Sequence, residues 1–202
     1  MPTLSLSQLN LNDTYSYADY LTWQFDEAVE LIKGKIQLMC PAPTIKHQRI
    51  SRDLGYLINQ FLKQKPKNCE LFIAPFDVKL FNSKKAQLAD THIYSVVQPD
   101  LCVVCDPQKL TEQGCNGAPD WIIEVLSKGN SKKEMRLKFE LYEESGVLEY
   151  WLVYPYEQAV YQFVLNLASE KYQLAAMYAG DEIAIPALFP DLKIDLTEVF
   201  AE

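Results

Sequence analysis

One residue restricts what this chain can fold into more than any other. Glu124 is set in the run Trp121-Ile122-Ile123-Glu124-Val125-Leu126-Ser127. The run is apolar and β-branched, the character of a buried strand. A carboxylate inside such a strand is costly unless it is protonated, paired or bound to a metal. Its own strand offers no partner, so the partner must come from elsewhere in the fold. Side chains alternate along a strand, which puts Glu124 on the face of Ile122 and Leu126.

Two nearby segments supply candidates. Gln98-Pro99-Asp100-Leu101-Cys102-Val103-Val104-Cys105 reads as a strand with an acid near its start, Asp100 sharing a face with Cys102 and Val104. If this strand lies beside the first with those faces together, two carboxylates converge. Two converging carboxylates are what Mg²⁺ or Mn²⁺ takes from protein, water and phosphate completing the shell. Downstream, the spacing predicts a helix from about Ser131 to Ser145. On it Met135, Phe139 and Tyr142 form an apolar patch that Leu137 and Leu141 widen, while Lys132, Lys133, Arg136, Glu140, Glu143 and Glu144 gather on the wet face. Lys138 falls inside the apolar arc, so its amine must aim at an anion, and the preceding strand offers Glu124. A third strand, Glu149-Tyr150-Trp151-Leu152-Val153-Tyr154, follows. Simpler accounts stay open: a structural Glu124–Lys138 bridge, a helix-surface pair of Lys138 with Glu134, and Asp100 as a turn or strand-entry residue behind Pro99.

Pro99-Asp100, then Glu124, then Lys138 resembles the PD-(D/E)xK nuclease superfamily. Pro99-Asp100-Leu101, Glu124-Val125-Leu126-Ser127, Asn130, Lys138, Tyr142 and Gly146-Val147-Leu148-Glu149-Tyr150-Trp151-Leu152-Val153 resemble more closely the restriction-endonuclease-like family that is multiplied in some bacterial genomes. There the lysine does not follow the glutamate by two residues. Position 126 here is Leu, and the amine matching the family's comes from the next helix as Lys138. Glu30-Leu31-Ile32-Lys33-Gly34-Lys35-Ile36, Pro41-Ala42-Pro43 and His47 are similar to the family's opening, so the likeness covers nearly the whole chain. The chain departs from the pattern at Lys128-Gly129, where the family often has Pro-Ser, and at Glu134 and Tyr154, where it often has Asp.

The resemblance implies an α/β fold of mixed type. It would have a restriction-endonuclease-like core over about residues 28–155, with a central mixed β-sheet flanked by helices and added N- and C-terminal β-hairpins. It implies a metal-dependent endonuclease in which Asp100, Glu124 and the carbonyl of Val125 hold Mg²⁺ or Mn²⁺ and Lys138 acts beside them. An extra acid from an early element helps position metal or water in related nucleases, which makes Glu30 a fourth candidate. A cross-strand pair of Glu30 with Lys33 or Lys35 is the alternative. The implied partner is nucleic acid, DNA first, and cutting both strands of a duplex implies a homodimer. The rival class is a catalytically inactive nucleic-acid- or protein-binding module on the same scaffold.

The bulk numbers bound these expectations. At 202 residues the chain suffices for one sizeable core, and we expect a single domain over 1–202. No run is long and apolar enough for a membrane span, and Met1-Pro2-Thr3-Leu4-Ser5-Leu6 lacks the pattern of a signal peptide. Five cysteines without a framework of spacings read as reduced thiols of a cytoplasmic protein. Cys102 and Cys105 point to opposite faces of a strand and make a poor zinc or redox pair. The net charge of −8 argues against tight nonspecific binding to nucleic acid. Local basic groups remain: Lys128, Lys132, Lys133 and Arg136 near the proposed site, and Lys46, Arg49 and Arg52 on an early helix.

Along the rest of the chain, residues 1–13 read as loosely ordered, and Thr14 is expected to cap a short helix running to Trp23. Lys33-Gly34 joins strands 28–32 and 35–39 in a hairpin closed off by Pro41 and Pro43. Thr44 caps a helix to about Lys63 whose Ile50, Leu54, Leu57, Ile58, Phe61 and Leu62 cover a sheet. His47 lies in its first turn; with only His92 as company it reads as structural or substrate-facing rather than as a ligand. Residues 69–80 read as a strand interrupted at Pro75, 82–94 as a polar loop or flap, and 160–175 as a hairpin around Ala168-Ser169-Glu170. A short segment capped by Asp195 ends the chain.

Overall fold

The computed structural model describes residues 6–25, 28–39, 43–65, 69–81, 89–129 and 132–201. In chain order the elements are α1 (Tyr17–Tyr20), β1 (Val29–Ile32), β2 (Lys35–Leu38), α2 (Ile45–Leu62), β3 (Glu70–Ile73), β4 (Val78–Lys79), β5 (Val96–Val97), β6 (Leu101–Val104), β7 (Leu110–Thr111), β8 (Gly114–Asn116), β9 (Trp121–Val125), α3 (Lys132–Ser145), β10 (Glu149–Tyr154), β11 (Ala159–Asn166), β12 (Lys171–Ala179), β13 (Ile183–Ala184), β14 (Ile194–Asp195) and α4 (Leu196–Val199).

The spine is β9-α3-β10. Parallel strands need a crossover, and α3 supplies it between β9 and β10, whose register places Leu152 beside Glu124. The central sheet runs β12-β11-β10-β9-β6-β3. Only β9 and β10 are parallel in it; the other pairs are antiparallel. Both faces are covered, which is why β9 reads as nearly continuous apolar sequence. On one face α2 packs Ile50, Leu54, Ile58 and Leu62 against Trp121, Ile123, Trp151 and Val153. On the other, Leu141 and Tyr142 of α3 meet Ile122, Tyr150, Leu152 and Cys102. Gly55 permits the close approach of α2, because a Cβ there would sit 3.1 Å from Ile73 Cδ1 and 3.3 Å from Leu101 Cδ2. This is the mixed α/β, nuclease-like architecture expected.

The hairpin at Lys33-Gly34 also forms, with Ile32 opposite Lys35 and both turn residues at positive φ (50° and 78°). It is not an isolated addition. It belongs to a second six-stranded sheet, β2-β1-β5-β4-β8-β7. Four of those strands have only two or three residues, too short to leave a period in the sequence. The interruption at Pro75 separates β3, which joins the central sheet, from β4, which joins the second.

Two expectations are corrected. The cap of the first helix is Ser16, not Thr14: its hydroxyl accepts from the Asp19 N–H while the Asp19 carboxylate accepts the Ser16 N–H at 2.8 Å, a reciprocal capping box. The cysteines are not all thiols, for Cys69 and Cys105 form a disulfide. The register of β3 on β6 pairs Glu70 with Val104, so the next residues out, Cys69 and Cys105, face one another. Cys102 and Cys115 are free and buried, and Cys40 lies outside the described residues. So do Asn130, Pro41 and most of the expected 82–94 loop. Among the described residues no helix is long and apolar enough to cross a membrane.

Candidate active site

The site is set by one register. β6 runs antiparallel to β9 with Leu101 opposite Ile123 and Cys102 opposite Ile122. One step further, where β6 begins, Asp100 stands opposite Glu124. The fold therefore carries both acids to one end of adjacent strands.

Each acid is held by hydrogen bonds that the sequence only partly foreshadows. Asp100 Oδ2 accepts the Val125 N–H at 2.7 Å, and Asp100 Oδ1 lies 3.2 Å from His47 Nε2. Glu124 Oε1 accepts from Lys138 Nζ at 3.0 Å and from the Tyr142 hydroxyl at 2.6 Å. Lys138 and Tyr142 are four residues apart on α3, so one helix face presents both to the same oxygen. Lys138 Nζ also lies 2.9 Å from Glu30 Oε1, which in turn accepts the Gln98 N–H at 2.9 Å. Glu30 does not use the partners expected of it: Lys33 pairs with Glu144 at 2.9 Å, and Lys35 donates to the backbone carbonyls of Asn12 and Asp13.

Glu30, Glu124 and Lys138 are 3%, 8% and 8% exposed, yet all three border an open cleft of about 350 Å³ together with His47, Asp100 and Ser127. Three carboxylates thus meet one ammonium. Burial pushes the Glu124 carboxyl up, to about 7, with Asp100 and Glu30 adding to the rise and Lys138 and Tyr142 opposing it. Burial pulls the Lys138 ammonium down, but Glu124 and Glu30 outweigh it, and the net shift is upward. For His47 burial also pulls down, and Asp100, Glu124 and the Val125 backbone reverse it to a net rise. These directions agree on one point: the pocket carries an excess of negative charge that a cation would relieve.

The residues fit a divalent ion of the Mg²⁺ type. Asp100, Glu124 and the Val125 carbonyl are hard oxygen donors, and such an ion takes only one or two carboxylates from protein. Among the described residues no three His, Cys, Asp or Glu side chains stand together as a ready-made metal cluster. Both hydrogen bonds to Glu124 from described residues fall on Oε1, so Oε2 is the oxygen it would offer.

The cleft's rim carries part of the basic character expected. Lys128 and Lys46 stand 4.4 Å and 5.7 Å from the ring centroid of exposed Tyr156. Arg52 pairs with Asp53 and Arg136 with Glu140, each at 2.7 Å. Sequence reasoning missed the contact of His47 with Asp100. A signal was present, since His47 falls on the same helical stripe as Ile50, Leu54 and Ile58 and so faces the sheet.

Paired strand-end acids beside an inward lysine, on a mixed sheet clad by helices, define the nuclease-like class of fold. Residues 17–197 match the Uma2 family, described as putative restriction endonuclease, and the chain belongs to that family. The crystal structure of a putative nuclease belonging to DUF820 from Anabaena variabilis ATCC 29413 is similar in fold, with a TM-score of 0.70 and 21% identity over 93% of this chain and 98% of that one. Both likenesses are consistent with the PD-(D/E)xK superfamily. No curated protein matches the chain.

Proposed function

We propose that this protein is a divalent-metal-dependent endonuclease that hydrolyses phosphodiester bonds of nucleic acid, DNA ahead of RNA. The observation that carries the reading is the meeting of Asp100 and Glu124 across β6 and β9, with Lys138 beside them, in a cleft open to a phosphate. Asp100, Glu124 and the Val125 carbonyl are the groups to hold Mg²⁺ or Mn²⁺. Such an ion, when bound, lowers the pKa of a coordinated water and polarises the phosphate. Lys138 fixes the Glu124 carboxylate and brings a positive charge to the floor of the cleft, where it opposes charge developing on phosphate oxygens. Glu30 holds that amine from the other side. Lys46 and Lys128 on the rim suit a phosphate backbone. Cutting both strands of a duplex takes two such sites, so a homodimer is part of this reading.

Asp100→Ala and Glu124→Ala should each abolish Mg²⁺- or Mn²⁺-dependent cutting of DNA while leaving the circular dichroism spectrum unchanged; cutting at the wild-type rate by either variant would refute the assignment. The second reading, a non-catalytic binding module, is favoured by the net charge of −8 and by Lys138 being engaged on both sides. A Mn²⁺ titration separates the two, because a binding module has no need to take up the ion through these carboxylates.

A further inference from the structure

The oxygens of Asp100 and Val125 already have a nitrogen facing them. His47 Nε2 lies 3.2 Å from Asp100 Oδ1, and the Val125 backbone also faces this ring. The histidine is not a surface group that happens to lean inward. It is 8% exposed, it sits in the first turn of α2, and its backbone N–H is tied to the Thr44 hydroxyl at 3.2 Å. Its other ring nitrogen, Nδ1, is buried with no hydrogen-bond partner. A buried, unpartnered ring nitrogen needs a reason, because leaving it so is unfavourable.

We propose that His47 is a first-sphere ligand of the site, placing Nε2 alongside Asp100 and the Val125 carbonyl on the bound ion. This rests on the metal-dependent reading above and deepens it. The proposal needs two side chains and one backbone carbonyl, a smaller set than a cage of three or more acidic, Cys or His side chains. It explains why the ring is aimed at the metal-facing oxygen of Asp100, Oδ1, while Oδ2 is occupied by the Val125 N–H. A metal-bound imidazole donates its other N–H to an acceptor. The same face of α2 carries Ser51, one turn on, whose Oγ is likewise buried and unpartnered and also borders the cleft. A mixed nitrogen and oxygen set has a chemical consequence. Imidazole favours transition ions, whereas Mg²⁺ and Ca²⁺ favour oxygen alone. The site should therefore prefer Mn²⁺ to Mg²⁺, and His47 should be the source of that preference.

The test is spectroscopic and uses the full chain. Mn²⁺ bound to the wild-type protein should show electron spin-echo modulation from one directly coordinated ¹⁴N. In His47→Asn the modulation should vanish, and Mn²⁺ affinity should fall by about tenfold while Mg²⁺ affinity changes less. His47→Gln serves as a second variant should the first fold poorly, and the wild-type spectrum decides the matter without either. If Mn²⁺ binds in a manner lost in Asp100→Asn but shows no nitrogen coupling, His47 is not a ligand and the nuclease reading stands. If no Mn²⁺ binds at all, both readings fall together.

Discussion

The Lys138 amine lies 2.9 Å from Glu30, a carboxylate on the second sheet, while its other contact is Glu124 on the central sheet. A single buried ammonium therefore ties the two sheets together at the mouth of the cleft. Removing it leaves two buried acids without a counter-charge. Lys138→Met should destabilise the protein by about 3–5 kcal/mol, the usual result of breaking a buried pair from one side. Adding Glu30→Gln and Glu124→Gln to that variant should restore most of the loss, read as the denaturant midpoint. If the triple variant also cut DNA like the wild type, the network would be structural alone.

The same crowding predicts a pH signature. The Glu124 carboxyl is raised from 4.5 to about 7, burial being the largest cause. The folded state then holds its proton more tightly than the unfolded chain, so stability falls as pH rises between those two values. Glu124→Gln should lose this dependence. The difference in melting temperature between the two proteins, followed from pH 4 to pH 8, should therefore shift steadily in favour of the variant as pH rises. A difference that stays flat would contradict the raised value.

Glu149 belongs to the motif that resembled the family, yet it is nowhere near the cleft. It is fully buried, and its carboxylate accepts from Trp151 Nε1, Gln162 Nε2 and the N–H groups of Ala187 and Leu188 at 2.7–3.0 Å. Four donors lose their acceptor in Glu149→Ala, which should cost about 3–5 kcal/mol. Mn²⁺ affinity of whatever remains folded should equal that of the wild type. Weakened metal binding would give Glu149 a role beyond scaffolding.

The Cys69–Cys105 bridge joins residues 36 apart in sequence. Closing a loop of that size should contribute about 2–4 kcal/mol. Dithiothreitol should lower the melting temperature of the wild type and leave that of a Cys69→Ser, Cys105→Ser variant unmoved. Equal melting of the two proteins under oxidising conditions would show that the bridge contributes nothing.

The sequence by itself determined the elements that carry chemistry. An acid alone in an apolar strand, and a lysine inside a helix's apolar arc, each need a partner, and that need is local information. It brought Glu124 and Lys138 together before any coordinates, and the capped, amphipathic α2 was legible for the same reason. Tertiary structure alone decided which groups from distant segments complete the network. Glu30 reaches Lys138 through a second sheet whose strands are too short to leave a periodic trace. His47 reaches Asp100 because α2 packs closely over Gly55. Cys69 meets Cys105 through a register that no spacing encodes. Periodicity reports which face a side chain occupies; it does not report which other element that face will meet.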